Sequence, residues 1–212
     1  MGTDDPRNVG AKWTGASSGA HYATQRFRGT RAAQRDPVLV DAILREHGVR
    51  GRLLDVPCGT GRLSEMLARH VESHAGVDVS RPMLAEARAG AGVRLAQASA
   101  EHLPFAERAF DVVVCCRLLH HLREGEQLER VVAELVRVSD RLVVASYWDA
   151  ASLPALRVKW GLKRDEGPRG RCARPRAEIE HTFVAAGARC VEFRHSFRFV
   201  SQQTFVVAER LR

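Results

Sequence analysis

Leu53-Leu54-Asp55-Val56-Pro57-Cys58-Gly59-Thr60-Gly61 decides the fold. It reads as an apolar strand that ends on a carboxylate and turns through glycines, and Arg62-Leu63-Ser64-Glu65-Met66-Leu67-Ala68 continues it at helical spacing. Glycine has no Cβ to hold a ligand off the backbone, so a strand, turn and helix in this order bring N–H groups up to a bound molecule. The next strand, His74-Ala75-Gly76-Val77-Asp78-Val79, places a second carboxylate 17 residues beyond Gly61. At a strand end, a carboxylate accepts hydrogen bonds from both ribose hydroxyls. The two stations point to a ligand containing a nucleoside.

Charge narrows the choice. A dinucleotide site sets a pyrophosphate on the turn and favours Gly-x-Gly-x-x-Gly or Ala, whereas this run is Gly59-Thr60-Gly61-Arg62-Leu63-Ser64. Asp55 at the head of the turn would repel a pyrophosphate, since two anions in a poorly solvated place raise each other's energy. A ligand with an ammonium or a sulfonium there is stabilised instead. S-adenosylmethionine carries both cations, an adenosine for Asp78, and no phosphate.

With these residues in place the chain resembles the class I S-adenosylmethionine-dependent methyltransferases from about Tyr22 to the C-terminus. Asp55 to Gly61 resembles that family's glycine loop, and Asp78-Val79-Ser80-Arg81-Pro82-Met83-Leu84 its ribose-binding strand end and following helix start. Ala98-Ser99-Ala100-Glu101-His102-Leu103-Pro104-Phe105 resembles the adenine-side loop, and Phe110-Asp111-Val112-Val113-Val114-Cys115-Cys116 the fourth strand. Four stations in the right order are far more specific than a lone glycine loop. The resemblance implies an α/β fold, a Rossmann-like doubly wound seven-stranded sheet with its last strand antiparallel and inserted between the fifth and sixth. It implies S-adenosyl-L-methionine as cofactor, S-adenosyl-L-homocysteine as product, and a small-molecule acceptor, with closest similarity to ubiquinone and menaquinone biosynthesis methyltransferases.

By the same resemblance, Asp55, Pro57, Gly59 and Gly61 seat the methionyl part, and Asp78 holds the ribose. Val79 and Met83 cover the adenine faces, Ser99 and Ala100 form its polar edge, Cys116 borders the site, and Arg26 in an N-terminal lid forks onto the methionyl carboxylate, with a surface arginine as the alternative. Two positions depart from the family. Pro57 replaces a glycine and offers a carbonyl but no N–H. Ser99 stands where many relatives have an aspartate, and a hydroxyl accepts from the adenine amine more weakly than a carboxylate. Cys115-Cys116-Arg117-Leu118 replaces the Asn-Pro-Pro-Tyr segment that reads exocyclic amino groups, which makes such groups poor targets.

Strands are expected at about 52–56, 74–79, 92–97, 110–116, 141–147, 188–195 and 200–208. Helices are expected at about 62–70, 81–89 and 124–138, with another at 177–186 closed by Gly187. Asp36-Pro37 reads as an N-cap followed by proline, opening a helix that runs to about His47 before Gly48 stops it. Residues 1–20, rich in Gly, Ser, Thr and Asp, are expected to be disordered, and 21–212 to form one methyltransferase domain.

The 212 residues include five cysteines and carry a net charge of +8. An odd number of irregularly spaced cysteines argues against a disulfide framework and for a reducing, cytoplasmic setting. No apolar run approaches the ~20 residues of a membrane span. Between residues 157 and 176, Arg157, Lys159, Lys163, Arg164, Arg169, Arg171, Arg174 and Arg176 oppose only Asp165 and Glu166. This insert is either a solvated arginine-rich loop or a lid that recruits an anion. A nucleic-acid methyltransferase using the insert on phosphates, or a non-catalytic cofactor-binding protein, is the alternative to a small-molecule enzyme, and the chain is expected to be a monomer or homodimer.

Methyl transfer is an in-line displacement that needs positioning more than covalent help, and a base only if the nucleophile arrives protonated. His120 and His121, just beyond the fourth strand, occupy the best catalytic address, with packing and loop fixation as their alternative role. His195, Tyr147 and Trp148 could reach the same crevice. Cys115 and Cys116 are adjacent on a strand and point to opposite faces, so a metal site built from them with the two histidines is rejected.

Overall fold

The computed structural model describes residues 31–88, 93–162, 171–197 and 199–212. The segment 1–20, Arg26 and the middle of the basic insert lie outside these residues. Seven strands, β1 (Arg52–Asp55), β2 (Ser73–Asp78), β3 (Arg94–Gln97), β4 (Phe110–Cys115), β5 (Ser139–Trp148), β6 (Ala188–His195) and β7 (Gln203–Arg210), form one sheet in the order β3-β2-β1-β4-β5-β7-β6. Strands β1 to β5 pair in parallel, while β7 runs antiparallel between β5 and β6. The chain winds outward from β1 to β3 and then returns to β4 on the other side of β1. At this reversal the loops leaving β1 and β4 diverge, and a crevice opens at the carboxyl ends of the strands.

Parallel strands covered on both faces need apolar residues at successive positions, which is why β1 and β4 read as continuous hydrophobic runs. Along β4 and just past it, Val113 and Cys115 face one layer and Val112, Val114 and Cys116 the other. The first layer is α4 (Gly125–Val138), packing Leu128, Val131, Val132, Leu135 and Val136, together with Ile179 and Phe183 of α6 (Arg176–Ala185). The second layer uses Val40, Ile43 and Leu44 of α1 (Arg31–Glu46) and Leu63, Met66 and Leu67 in and before α2 (Ser64–Leu67). Full burial of one such leucine contributes about 2 kcal/mol.

Several element boundaries differ from expectation. Helix α1 begins at Arg31 and carries Pro37 inside it, so Asp36 is an interior helical residue and not a cap. Its carboxylate is drawn instead to two distant arginines, described below. The helix expected at 62–70 is regular only over α2, because Gly61 to Leu63 are held in turns and the chain tightens again after Leu67. Strand β7 starts at Gln203, since Phe199 adopts φ 65° in the preceding turn. Helix α5 (Leu153–Lys159) is absent from the sequence reading: it buries none of its residues and so leaves no apolar periodicity. Helix α3 (Arg81–Arg88) follows the ribose-side strand as expected.

Candidate functional site

A cavity of about 260 Å³ opens at the crevice between the ends of β1, β2 and β4. The turn after β1 forms its floor. Val56 N–H bonds the Val114 carbonyl at 2.9 Å and Cys58 N–H bonds the Val77 carbonyl at 2.8 Å, tying the turn to both neighbouring strands. Gly59 and Gly61 have φ of +56° and +76°, a region that strains residues with a Cβ. At Gly59 an added Cβ would meet nothing within 4 Å, whereas at Gly61 it would press on Ser64 Oγ at 3.2 Å and Ala87 Cβ at 3.4 Å. Gly59 therefore serves the open side and Gly61 the packing of the turn against α3.

Two carboxylates stand at the ends of β1 and β2. Asp78 accepts N–H bonds from Gly59 at 2.9 Å and Ser80 at 2.8 Å, one on each oxygen. Burial raises its pKa, and these backbone bonds oppose the rise. Asp55 is 1% exposed, and among the described residues neither of its oxygens has a hydrogen-bond partner. Burial pushes it up to about 8, against the pull of the Arg62 guanidinium and with a further push from Asp78. An unpartnered buried carboxylate is costly, and a cation brought to it relieves that cost.

Of the positions expected at the cofactor, Asp55, Pro57, Gly59, Asp78, Val79, Met83, Ser99, Ala100 and Cys116 line the cavity. Gly61 lies behind the floor. The Ser99 hydroxyl accepts the Glu101 N–H at 3.2 Å, so it also shapes its own loop. Burial raises the thiols of Cys58 and Cys116, Cys116 to about 12, which keeps them protonated. Cys115 and Cys116 fall in opposite core layers, and among the described residues no group of three or more His, Cys, Asp or Glu converges as metal ligands would.

The two histidines separate. His121 lines the cavity, while His120 is 2% exposed and stacks on Trp148 at 4.7 Å with planes 3° apart. The short 3-10 turn Leu119–His121 makes this division, with the two rings 4.4 Å apart. The His120 carbonyl accepts the Cys172 N–H at 2.9 Å, pinning the far end of the basic insert to the same turn. Tyr147 is buried against Phe193, and His195 bonds Thr204 Oγ1 at 3.0 Å. Neither lines the cavity, and nor does Trp148.

Sequence reasoning missed five polar wall residues: Thr60, Arg62, Glu101, Arg117 and Gln127. Gln127 donates to Glu101 at 2.6 Å, and Arg130 holds the same carboxylate at 2.9 Å, so Glu101 forms a second acceptor beside Ser99. Arg117 donates through Nε to Asp36 at 2.5 Å, and Arg62 approaches the same oxygen at 3.4 Å. Glycine-loop spacing marks Arg62 as near the site; no local signal marks Arg117. In the basic insert, Arg174 is buried, pairs with Glu178, and donates to the Leu122 and Arg123 carbonyls, the latter at 3.0 Å. It is a brace rather than a solvated cation. Arg176 pairs with Glu180 at 3.0 Å and lies over the Phe193 ring.

Residues 53–141, from β1 to the start of β5, match the family model described as a methyltransferase domain. Over this segment the chain is similar to methyltransferase domains. The ubiquinone biosynthesis O-methyltransferase of Aeromonas salmonicida is 34% identical over 121 residues, 53% of this chain and 51% of the relative. The demethylmenaquinone methyltransferase of Thermobifida fusca is 36% identical over 121 residues, 52% and 50% respectively. The chain thus spans about half the length of these curated relatives. Among solved structures, magnesium protoporphyrin IX methyltransferase from Synechocystis PCC 6803, solved with SAH bound, superposes with a TM-score of 0.70 at 23% identity, covering 85% of this chain and 84% of that one. That likeness shows a shared seven-stranded Rossmann-like fold.

Proposed function

We propose that the protein transfers a methyl group from S-adenosylmethionine to a small-molecule acceptor. The observation that carries the reading is the contrast at the cavity floor: an unpartnered buried Asp55 suited to the cofactor's cationic methionyl end, and an N–H-anchored Asp78 one strand away suited to its ribose. Arg62, beside Asp55, takes the methionyl carboxylate, a role to which Arg26 is a second candidate. Val79 and Met83 sandwich the adenine, and its edge meets Ser99, Ala100 and Glu101. The names of the quinone-pathway relatives support a small acceptor. Arg174 and Arg176, tied into the fold, weaken the case for the insert as a nucleic-acid surface.

Bound there, the cofactor would supply an electrophilic methyl, and Leu118, His121 and Leu122 would wall the side on which an acceptor enters. Catalysis then rests on alignment of nucleophile, methyl and sulfur. For a hydroxyl acceptor, His121 is the base, with His120 and Trp148 fixing the turn beneath it. Five unpaired cysteines support a reducing, cytoplasmic setting. Among the described residues no helix is long and apolar enough to cross a membrane. The chain acts as a monomer or homodimer in this reading. Incubation of the protein with methyl-labelled cofactor and a cell extract, followed by mass spectrometry, tests it: label in a small molecule is expected, and label only in RNA or in nothing contradicts it.

A further inference from the structure

We infer that the surface formed by α5 and the β6–β7 turn docks on an anionic lipid bilayer. This binding goes beyond the methyl transfer proposed above and does not depend on it. Helix α5 follows the carboxyl end of β5, and the β6–β7 turn lies at the same end of the sheet because β7 runs antiparallel to both its neighbours. The Leu153 N–H donates to the Phe199 carbonyl at 2.8 Å, which joins helix and turn into one surface. Trp160, Phe199 and Val200 are 63%, 57% and 67% exposed, and Leu153, Leu162 and Phe197 are open to solvent beside them. Single apolar side chains on a surface need no explanation, but a group of six marks a binding face. Leu153 and Trp160, seven residues apart, fall on one side of α5 with Arg157 next to them.

The turn is held firmly while it presents these side chains. Arg35 of α1 lies over the Phe197 ring at 3.5 Å and donates to the Ser196 carbonyl at 2.5 Å, and Phe199 is kept at φ 65°, a strained place for a bulky residue. Charge selects the occupant. No Asp or Glu occurs from Ala150 to Leu162 or from Ser196 to Gln203, whereas Arg157 and Lys159 are exposed on α5. Aromatic and aliphatic tips flanked by cations, with no carboxylate among them, match the headgroup boundary of a bilayer, where Trp sits at the interface and Lys and Arg meet anionic phosphates. Seven residues of helix are far too few to span, so the contact is shallow. The +8 net charge of the chain adds attraction to an anionic surface, and it would oppose a second copy of the chain at the same face.

The test is co-sedimentation of the full chain with vesicles of phosphatidylcholine alone and of phosphatidylcholine mixed with phosphatidylglycerol. Wild type should bind the mixed vesicles roughly tenfold more tightly than the neutral ones, and added salt should weaken that binding. Trp160→Ser combined with Val200→Ser should weaken binding to the mixed vesicles roughly tenfold, and Arg157→Gln combined with Lys159→Gln should do the same while flattening the salt dependence. All four positions are exposed, so melting temperature and S-adenosylhomocysteine affinity should stay at wild-type values in both variants. Failure of wild type to bind the mixed vesicles, or equal binding to both kinds, overturns the inference without any variant. So does full vesicle binding by the Trp160 and Val200 variant, which would make the surface a plain polycation. Loss of vesicle binding would leave the methyltransferase reading standing, and failure to bind S-adenosylhomocysteine would leave the docking surface standing.

Discussion

The turns after β1 and β2 occupy equivalent places in adjacent parallel strands, and each begins at a buried aspartate, yet the two carboxylates are handled in opposite ways. Asp78 has an N–H on each oxygen, from Gly59 and Ser80. Asp55, a similar depth down, has no partner for either oxygen among the described residues. The first is part of the scaffold before any ligand arrives, because it joins the glycine turn to the ribose-side strand. The second is a site of unmet polarity. Removing the first carboxylate should cost both stability and ligand affinity, and removing the second should cost ligand affinity alone.

The largest effect should come from Asp78. Asp78→Ala removes an acceptor from two backbone N–H groups and from the ribose, so S-adenosylhomocysteine should bind roughly 10²-fold more weakly, about 2–3 kcal/mol, and the melting temperature should fall as well. Calorimetry and thermal melts together check this; a weaker ligand with an unchanged melt would make Asp78 a ligand residue only. Next in size is turnover. His121→Ala should slow transfer to a hydroxyl acceptor by roughly 10²-fold at unchanged cofactor affinity, while His120→Ala should mainly lower the melting temperature by removing the Trp148 stack. Equal rate losses in both variants would mean that the two rings act as one packed unit.

Smaller, but opposite in sign to Asp78, is Asp55. Asp55→Asn should weaken the cofactor roughly tenfold, an effect of about 1.4 kcal/mol, yet raise the melting temperature of the unliganded protein near pH 8, because a neutral amide is less costly to bury than a carboxylate. The pH dependence follows from the same residue. The folded chain keeps a proton on Asp55 up to about pH 8, whereas the unfolded chain releases it near 3.8, so stability is lost as pH rises toward 8. His74 has the opposite slope: burial lowers it to about 4 from 6.5, so stability is lost as pH falls below 6.5. The two oppose each other between about 4 and 6.5, and from 6.5 to 8 Asp55 acts without His74. There the unliganded wild type should lose up to about 1.4 kcal/mol per pH unit, the slope easing to about half that near pH 8, and Asp55→Asn should be nearly flat. Denaturant titrations at pH 6.5, 7.25 and 8 measure both slopes.

The same contrast separates what the sequence reveals from what it hides. Asp55, Asp78, the glycines between them and the strand order are legible because strand, turn and carboxylate are written within one short stretch, and because parallel strands buried on both faces leave unbroken apolar runs. Asp36 is misread because Asp-Pro is a local capping signal, while its actual partners, Arg62 and Arg117, lie 26 and 81 residues away. Which of His120 and His121 meets the cavity depends on a single 3-10 turn, below the resolution of any periodicity. In the basic insert, charge counting cannot distinguish Arg174, buried against the Leu122 and Arg123 carbonyls, from an exposed arginine, because the acceptors come from another loop.

The most direct measurement is calorimetry of S-adenosylhomocysteine binding at pH 6.5 in two buffers of different ionisation enthalpy, for wild type and Asp55→Asn. At this pH an α-ammonium is still protonated, and Asp55 in the empty site holds its proton against the neighbouring Arg62, with Asp78 and the thiols of Cys58, Cys115 and Cys116 nearby. If the methionyl cation is what Asp55 lacks, wild type should release close to one proton on binding and Asp55→Asn close to none. No binding by wild type, or the same proton release from both proteins, would contradict the account.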